Sequence, residues 1–173
     1  MDAYDTSIAL KERLILAGID EISQHGTEAV SLRKIASACG ASCAAPYKHF
    51  KNKDDFLDAA AEYLKGKWKS LSEQIISLFD DEIECICELC IANIKFALAN
   101  SLYAHGQEGL DDIITERLRL YCSISERSPF DECFFKTASI VRGAGILISD
   151  GTFENSAASY ETLRKMLRTE LKG

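Results

Sequence analysis

Proline occurs only twice in this sequence, at Pro46 and Pro129, while apolar residues recur at intervals of three and four through almost all of its 173 residues. A chain so rarely interrupted, with little of the alternation that a half-buried strand needs, predicts an all-α fold. The pattern resolves into about nine helices. The first runs from about Thr6 to His25, carries Leu10, Leu14, Ala17, Gly18 and Ile22 on one face, and stops at Gly26. A second, short helix has Ser31 as its N-cap, holds Leu32, Ile35 and Ala36, and ends at Gly40. Ser42 is placed to cap a third, with Pro46 in its first turn, closing around Phe50. Asn52 or Asp54 then starts a long fourth helix that turns Phe56, Leu57, Ala60, Tyr63, Leu64, Trp68, Leu71, Ile75 and Leu78 inward and reaches Phe79.

Beyond Asp80 the helical signal continues. Ile83, Ile86, Cys87, Cys90, Ile91, Ile94 and Leu98 make one broad apolar stripe to about Asn100. Residues 101–109 read as a break with room for a short helical turn. Residues 111–126, 131–149 and 156–171 supply the last three helices, the final one with Tyr160, Leu163, Leu167 and Leu171 on one face. No repeat, linker or low-complexity stretch divides the chain, which is long enough to bury a sizeable core. The organisation expected is a three-helix N-terminal region over residues 1–53, joined by the long helix to a larger helical region over residues 54–173.

Composition removes several classes of function. No apolar run approaches the roughly 20 residues that a membrane span requires, and Met1-Asp2-Ala3-Tyr4-Asp5 lacks the basic start and apolar core of a signal peptide. A cytoplasmic protein is expected. The seven cysteines are an odd number scattered through helical patterns, which suits reduced thiols packed as small hydrophobes better than a disulfide framework. Within Cys85-Ile86-Cys87-Glu88-Leu89-Cys90, only Cys87 and Cys90 share a helix face. They are core residues in one reading and, in another, a pair able to take a soft metal or to oxidise. His25, His49 and His105 show no metal-ligand spacing, and there is no glycine-rich phosphate loop, nucleophile elbow or paired carboxylate motif. An enzyme is not expected, and nothing implies a cofactor or metal.

Charge singles out one segment. The chain carries a net −7, yet residues 31–53 hold Arg33, Lys34, Lys48, Lys51 and Lys53 and no acidic residue. The remainder has 15 basic against 27 acidic side chains. A short basic segment on an acidic protein is a discrete polyanion site rather than a general coating. Its order of helix, glycine turn and second capped helix is that of a helix-turn-helix, whose second helix enters the major groove. Cys43, Ala44 and Ala45 are small enough to let the backbone approach a duplex, and Tyr47, Lys48 and His49 supply polar tips. Helix N-termini add free N–H groups for phosphate.

The run Ile35-Ala36, Gly40-Ala41-Ser42, Ala45-Pro46-Tyr47-Lys48-His49-Phe50 and Lys53, preceded by Ile15, Ala17, Ile22 and Gly26, resembles the TetR family of bacterial helix-turn-helix transcriptional regulators. The resemblance is strong over residues 10–60. It implies that Ser42, Cys43, Ala44 and Ala45 lie at or near bases, and that Tyr47, Lys48 and His49 lie against bases or phosphates. It further implies that Lys53 holds a backbone phosphate and that Ser31 and Arg33 touch phosphate from the second helix. Residues 139–153 look more faintly like the penultimate helix of one subgroup, with Arg142 where that subgroup has a histidine before the glycine. The family also implies a four-helix dimer interface made by the last two helices, where Ala138, Gly143, Ala144 and Gly145 permit close approach. Tight packing inside one chain is the alternative use of those small residues.

The function expected is that of a homodimeric regulator, a repressor, bound to a pseudo-palindromic DNA operator and released by a small-molecule effector. Helical position places Ile94, Leu98, Tyr103, Leu118, Tyr121, Cys122, Phe134, Phe135 and Arg142 as the lining of an effector pocket, with residues 100–109 as its entrance or hinge. The rival expectations are a helical protein-interaction module without a DNA role and a thiol- or metal-responsive regulator.

Overall fold

The computed structural model describes residues 3–105, 109–125 and 129–172, so part of the expected hinge, residues 106–108, lies outside the described residues. Eight α-helices and no strand are present among them: α1 (Ala3–His25), α2 (Leu32–Ala38), α3 (Lys53–Leu78), α4 (Glu82–Ala99), α5 (Ser101–His105), α6 (Asp112–Ser125), α7 (Phe130–Ser149) and α8 (Ala157–Lys172). Short 3-10 turns occupy Thr27–Ala29 and Pro46–Lys48. No helix among the described residues is long and apolar enough to cross a membrane. The chain divides into two compact units, one of Met1–Lys67 with Ala99–Gly106, the other of Trp68–Leu98 with Gln107–Gly173. The division falls inside α3, and α5 belongs to the first unit.

The first unit closes on Leu14, Ile15, Ile22, Val30, Leu32, Ile35, Phe50, Phe56 and Ala60, with Leu102 of α5 packed against them. Burial of each large apolar side chain here contributes about 1.5–3 kcal/mol. α1 ends where Gly26, at φ 79° and ψ 169°, takes a conformation open essentially to glycine alone. Its amide bonds the Ile22 carbonyl at 2.9 Å. Phe50 and Phe56 meet edge to face at 5.1 Å between centroids, tying the end of the reading segment to the first turn of α3.

In the second unit α4 is the central element. Cys85, Ile86, Cys87, Leu89, Cys90 and Ile91 are all fully buried, so the stripe read in the sequence widens to nearly the whole circumference. Asp81 caps this helix by accepting the Glu84 amide at 2.9 Å, and Asp111 does the same for Ile113 at the start of α6. Ion pairs join α4 to α8 through Glu84–Arg168 (2.7 Å) and Glu88–Arg164 (2.5 Å), and Glu82 of α4 pairs with Arg117 of α6. α6 packs on α7 and α7 on α8. The turn between the last two is closed by Gly151 at φ 77° and by the Phe153 amide on the Leu147 carbonyl at 2.7 Å. α8 buries Tyr160, Leu163, Leu167 and Leu171, the face read from its spacing.

Candidate nucleic-acid interface

The basic segment is held in place by hydrogen bonds at each of its turns. α2 ends in a full glycine cap: Ala41 N donates to Ala36 O at 2.9 Å and Gly40 N to Ser37 O at 3.0 Å, with Gly40 at φ 66°. Arg13 of α1 donates to the Cys39 carbonyl at 2.5 Å, and Cys39 Sγ donates back to the Arg13 carbonyl at 3.5 Å. A cation at the C-terminus of α2 both satisfies a free carbonyl and complements the helix dipole. Neither partner carried a sequence signal, because the residues are 26 apart and both acceptors are backbone atoms.

The third helix of the sequence reading is shorter and tighter than expected. Pro46 has no amide to return to Ser42, and the Ser42 carbonyl instead accepts from Ala45 at 2.9 Å. The chain then makes a single 3-10 turn, Pro46–Lys48, after which His49 and Phe50 both donate to the Pro46 carbonyl at 2.9 Å. Ser31 sits at the N-cap of α2 but makes no side-chain capping bond, and Ala45 rather than Ser42 holds the cap position of the 3-10 turn. α3 has the firmer start: Asn52 Oδ1 accepts the Asp55 amide at 2.8 Å, and Asp55 Oδ2 accepts the Lys51 amide at 2.7 Å.

This frame turns Arg33, Ser42, Cys43, Ala44, Tyr47 and Lys48 to the exterior and leaves Ser31, His49 and Lys53 half-buried. Ala45, at 8% exposure, instead packs the turn onto the core beside Pro46. Among the described residues, Arg33, Lys34, Lys48 and Lys51 form no ion pair with a carboxylate. Lys53 is different. Its Nζ donates to the Glu28 carbonyl at 3.1 Å and stands 4.0 Å from the Glu28 carboxylate. An ammonium has three donors, so this anchor leaves others for a phosphate.

Residues 14–60, which include the whole basic segment, match the family described as bacterial regulatory proteins, tetR family. Over these residues the chain carries the TetR-family pattern. Among similar proteins, the HTH-type transcriptional regulator YerO of Bacillus subtilis is 39% identical over 69 residues, and the nicotine-responsive repressor HdnoR of Paenarthrobacter nicotinovorans is 42% identical over 59. These stretches cover 38% and 34% of the present chain but only 24% and 30% of the relatives' lengths. The fold likeness is wider. A TetR family regulator from Marinobacter aquaeolei superposes with a TM-score of 0.68, covering 98% of both chains at 18% identity. The relatives named are transcription regulators, and the family match lies over the basic segment.

The nine expected effector residues have different surroundings. Ile94 and Leu118 are closed into the core, Tyr103 lies on α5 in the first unit, and Phe135 is 72% exposed on α7. Tyr121 donates its hydroxyl to the Leu171 carbonyl, Cys122 faces Cys133, and Arg142 is exposed. Leu98 and Phe134 are half-buried. A groove of about 450 Å³ opens instead between α7 and α8, floored by Gly143 and Ala144 and walled by Ile140, Leu147, Phe153 and Met166. None of the nine expected residues lines it. Cys87 and Cys90 lie wholly inside the α4 core, where burial pushes the Cys87 thiol up to about 11 and that of Cys90 higher still. Thiols so protonated and enclosed are poor nucleophiles and poor metal ligands.

Proposed function

We propose that this chain is a homodimeric repressor that reads a pseudo-palindromic operator and leaves it when a small molecule binds. The observation that carries the reading is the pairing of an acid-free, exposed reading segment with an open apolar face at the other end of the sequence. On that face Ile146 is 61% and Met166 51% exposed, and Leu147 and Phe153 stand beside them. A β-carbon added at Gly143 or Gly145 would meet nothing within 4 Å, so these small residues serve no close packing inside the chain. A second copy laid on α7 and α8 would use them and remove the patch from water. Two reading segments on a two-fold axis then address two half-sites one helical turn apart.

Repression and release by a small molecule are what HdnoR, a nicotine-responsive repressor, supports for its relative here. An effector acts by preferring one arrangement of the two reading segments over the other. Control through Cys87 and Cys90 is disfavoured by their enclosure. Selection of bound sites from a random DNA pool tests the reading. The expected product is an inverted repeat whose affinity falls steeply with salt. A single unrepeated half-site, or no enriched sequence, would overturn it.

A further inference from the structure

We propose that Cys122 and Cys133 form a peroxide-sensitive dithiol that closes into an intrachain disulfide across the α6–α7 hairpin. The two occupy mirror positions, Cys122 three residues before the end of α6 and Cys133 three residues after the start of α7. Three residues before each of them, Arg119 and Phe130 are stacked, the guanidinium carbon 4.2 Å from the ring centroid, so the helix ends are held together beside the thiols. The thiols themselves are within hydrogen-bonding reach, with the buried Thr137 next to Cys133. None of this involves the DNA-reading segment or the α7–α8 groove.

Accessibility divides the roles. Cys122 is half-buried and Cys133 buried. Burial shields Cys133 from peroxide, so it meets the sulfenic acid formed on the neighbouring Cys122 rather than the oxidant itself. The Cys122 thiolate attacks one oxygen of a hydroperoxide. The O–O bond breaks, an alkoxide or hydroxide leaves and takes up a proton, and Cys122 becomes a sulfenic acid. The Cys133 sulfur then displaces the sulfenic oxygen, which departs with the Cys133 proton as water. Two thiols lose two electrons, and the peroxide gains them.

The other thiols are either enclosed, as Cys85, Cys87 and Cys90 are, or lie in the reading segment, as Cys39 and Cys43 do. They provide the internal comparison. The full chain is treated with a stoichiometric amount of hydrogen peroxide, alkylated without reduction, digested and mapped by mass spectrometry. The expected result is a Cys122–Cys133 linked peptide that accounts for most of the thiol loss. Cys122→Ser should abolish the link, and Cys133→Ser should leave a sulfenic acid at Cys122 that dimedone traps. Recovery of both as free thiols while Cys39 or Cys43 oxidises overturns the proposal. So does oxidation of Cys122 in the wild type without the link. The measurement requires no DNA, so its outcome is independent of the operator reading.

Discussion

Gly18 of α1 lies against the ring of Phe56 of α3 so closely that a β-carbon at residue 18 would stand 2.1 Å from Cζ and 2.7 Å from Cε1. Phe56 is fully buried and held edge-on by Phe50, so its ring has no free space to swing into. An alanine inside a helix ordinarily gains about 1 kcal/mol over glycine. Here overpacking dominates, and Gly18→Ala is expected to destabilise the fold by about 1–3 kcal/mol in denaturant unfolding. Adding Phe56→Leu to the same chain should return part of that loss, and equal losses in single and double variants would dissociate the two residues.

Lys53 is tethered to the Glu28 carbonyl at 3.1 Å while keeping donors to spare. Lys53→Ala should therefore weaken binding to all DNA sequences alike and reduce the slope of log affinity against log salt by about 1. Fluorescence anisotropy across a salt series measures both. A changed base preference at an unchanged slope would remove Lys53 from the phosphate contacts.

The exposed apolar face of α7 and α8 predicts the assembly state. Sedimentation at micromolar concentration should give about twice the 19.1 kDa of one chain. Ile146→Asp, which puts a charge where a partner would bury a side chain, should leave monomers and cost at least about tenfold in operator affinity. A dimeric Ile146→Asp protein would place the interface elsewhere.

Alkaline pH should separate the buried thiols from the rest. Cys87 ionises near 9.0 when unfolded and at about 11 when folded. Below the first value both states hold the proton and stability is unaffected. Between the two values only the unfolded chain releases it, so stability falls by about 1.4 kcal/mol per pH unit for each such thiol. Cys87→Ala with Cys90→Ala should flatten this decline, leave operator binding and release essentially intact, and cost about 1–2 kcal/mol at neutral pH through lost packing. Equal alkaline slopes in the two proteins would contradict the burial argument.

The legible part of the fold rests on periodicity. Tyr160, Leu163, Leu167 and Leu171 recur at helical spacing on an otherwise polar helix, and all four are buried. Periodicity also placed Ile94 and Leu118 correctly on inward faces, but inward does not distinguish a pocket wall from a closed core, and Phe135 faces out. The reading segment was legible as a motif and not as a geometry. One missing amide at Pro46 changes its hydrogen bonding from helix to a single tight turn. The bonds between Arg13 and Cys39 left no trace because a backbone carbonyl is present at every position in any sequence.

Leu102 of α5 packs on the core built by α1, α2 and α3, although Trp68–Leu98 of the second unit lies between α5 and the end of that stretch. The unit that carries the basic segment is therefore not a contiguous block of sequence. A fragment ending at Lys67 would carry every residue of the reading segment and still lack part of its own interior. Grafting this head onto another regulator requires transplanting two segments together, and a library that shuffles regulators at a single crossover in α3 should yield heads whose α5 seat is filled by the wrong side chains.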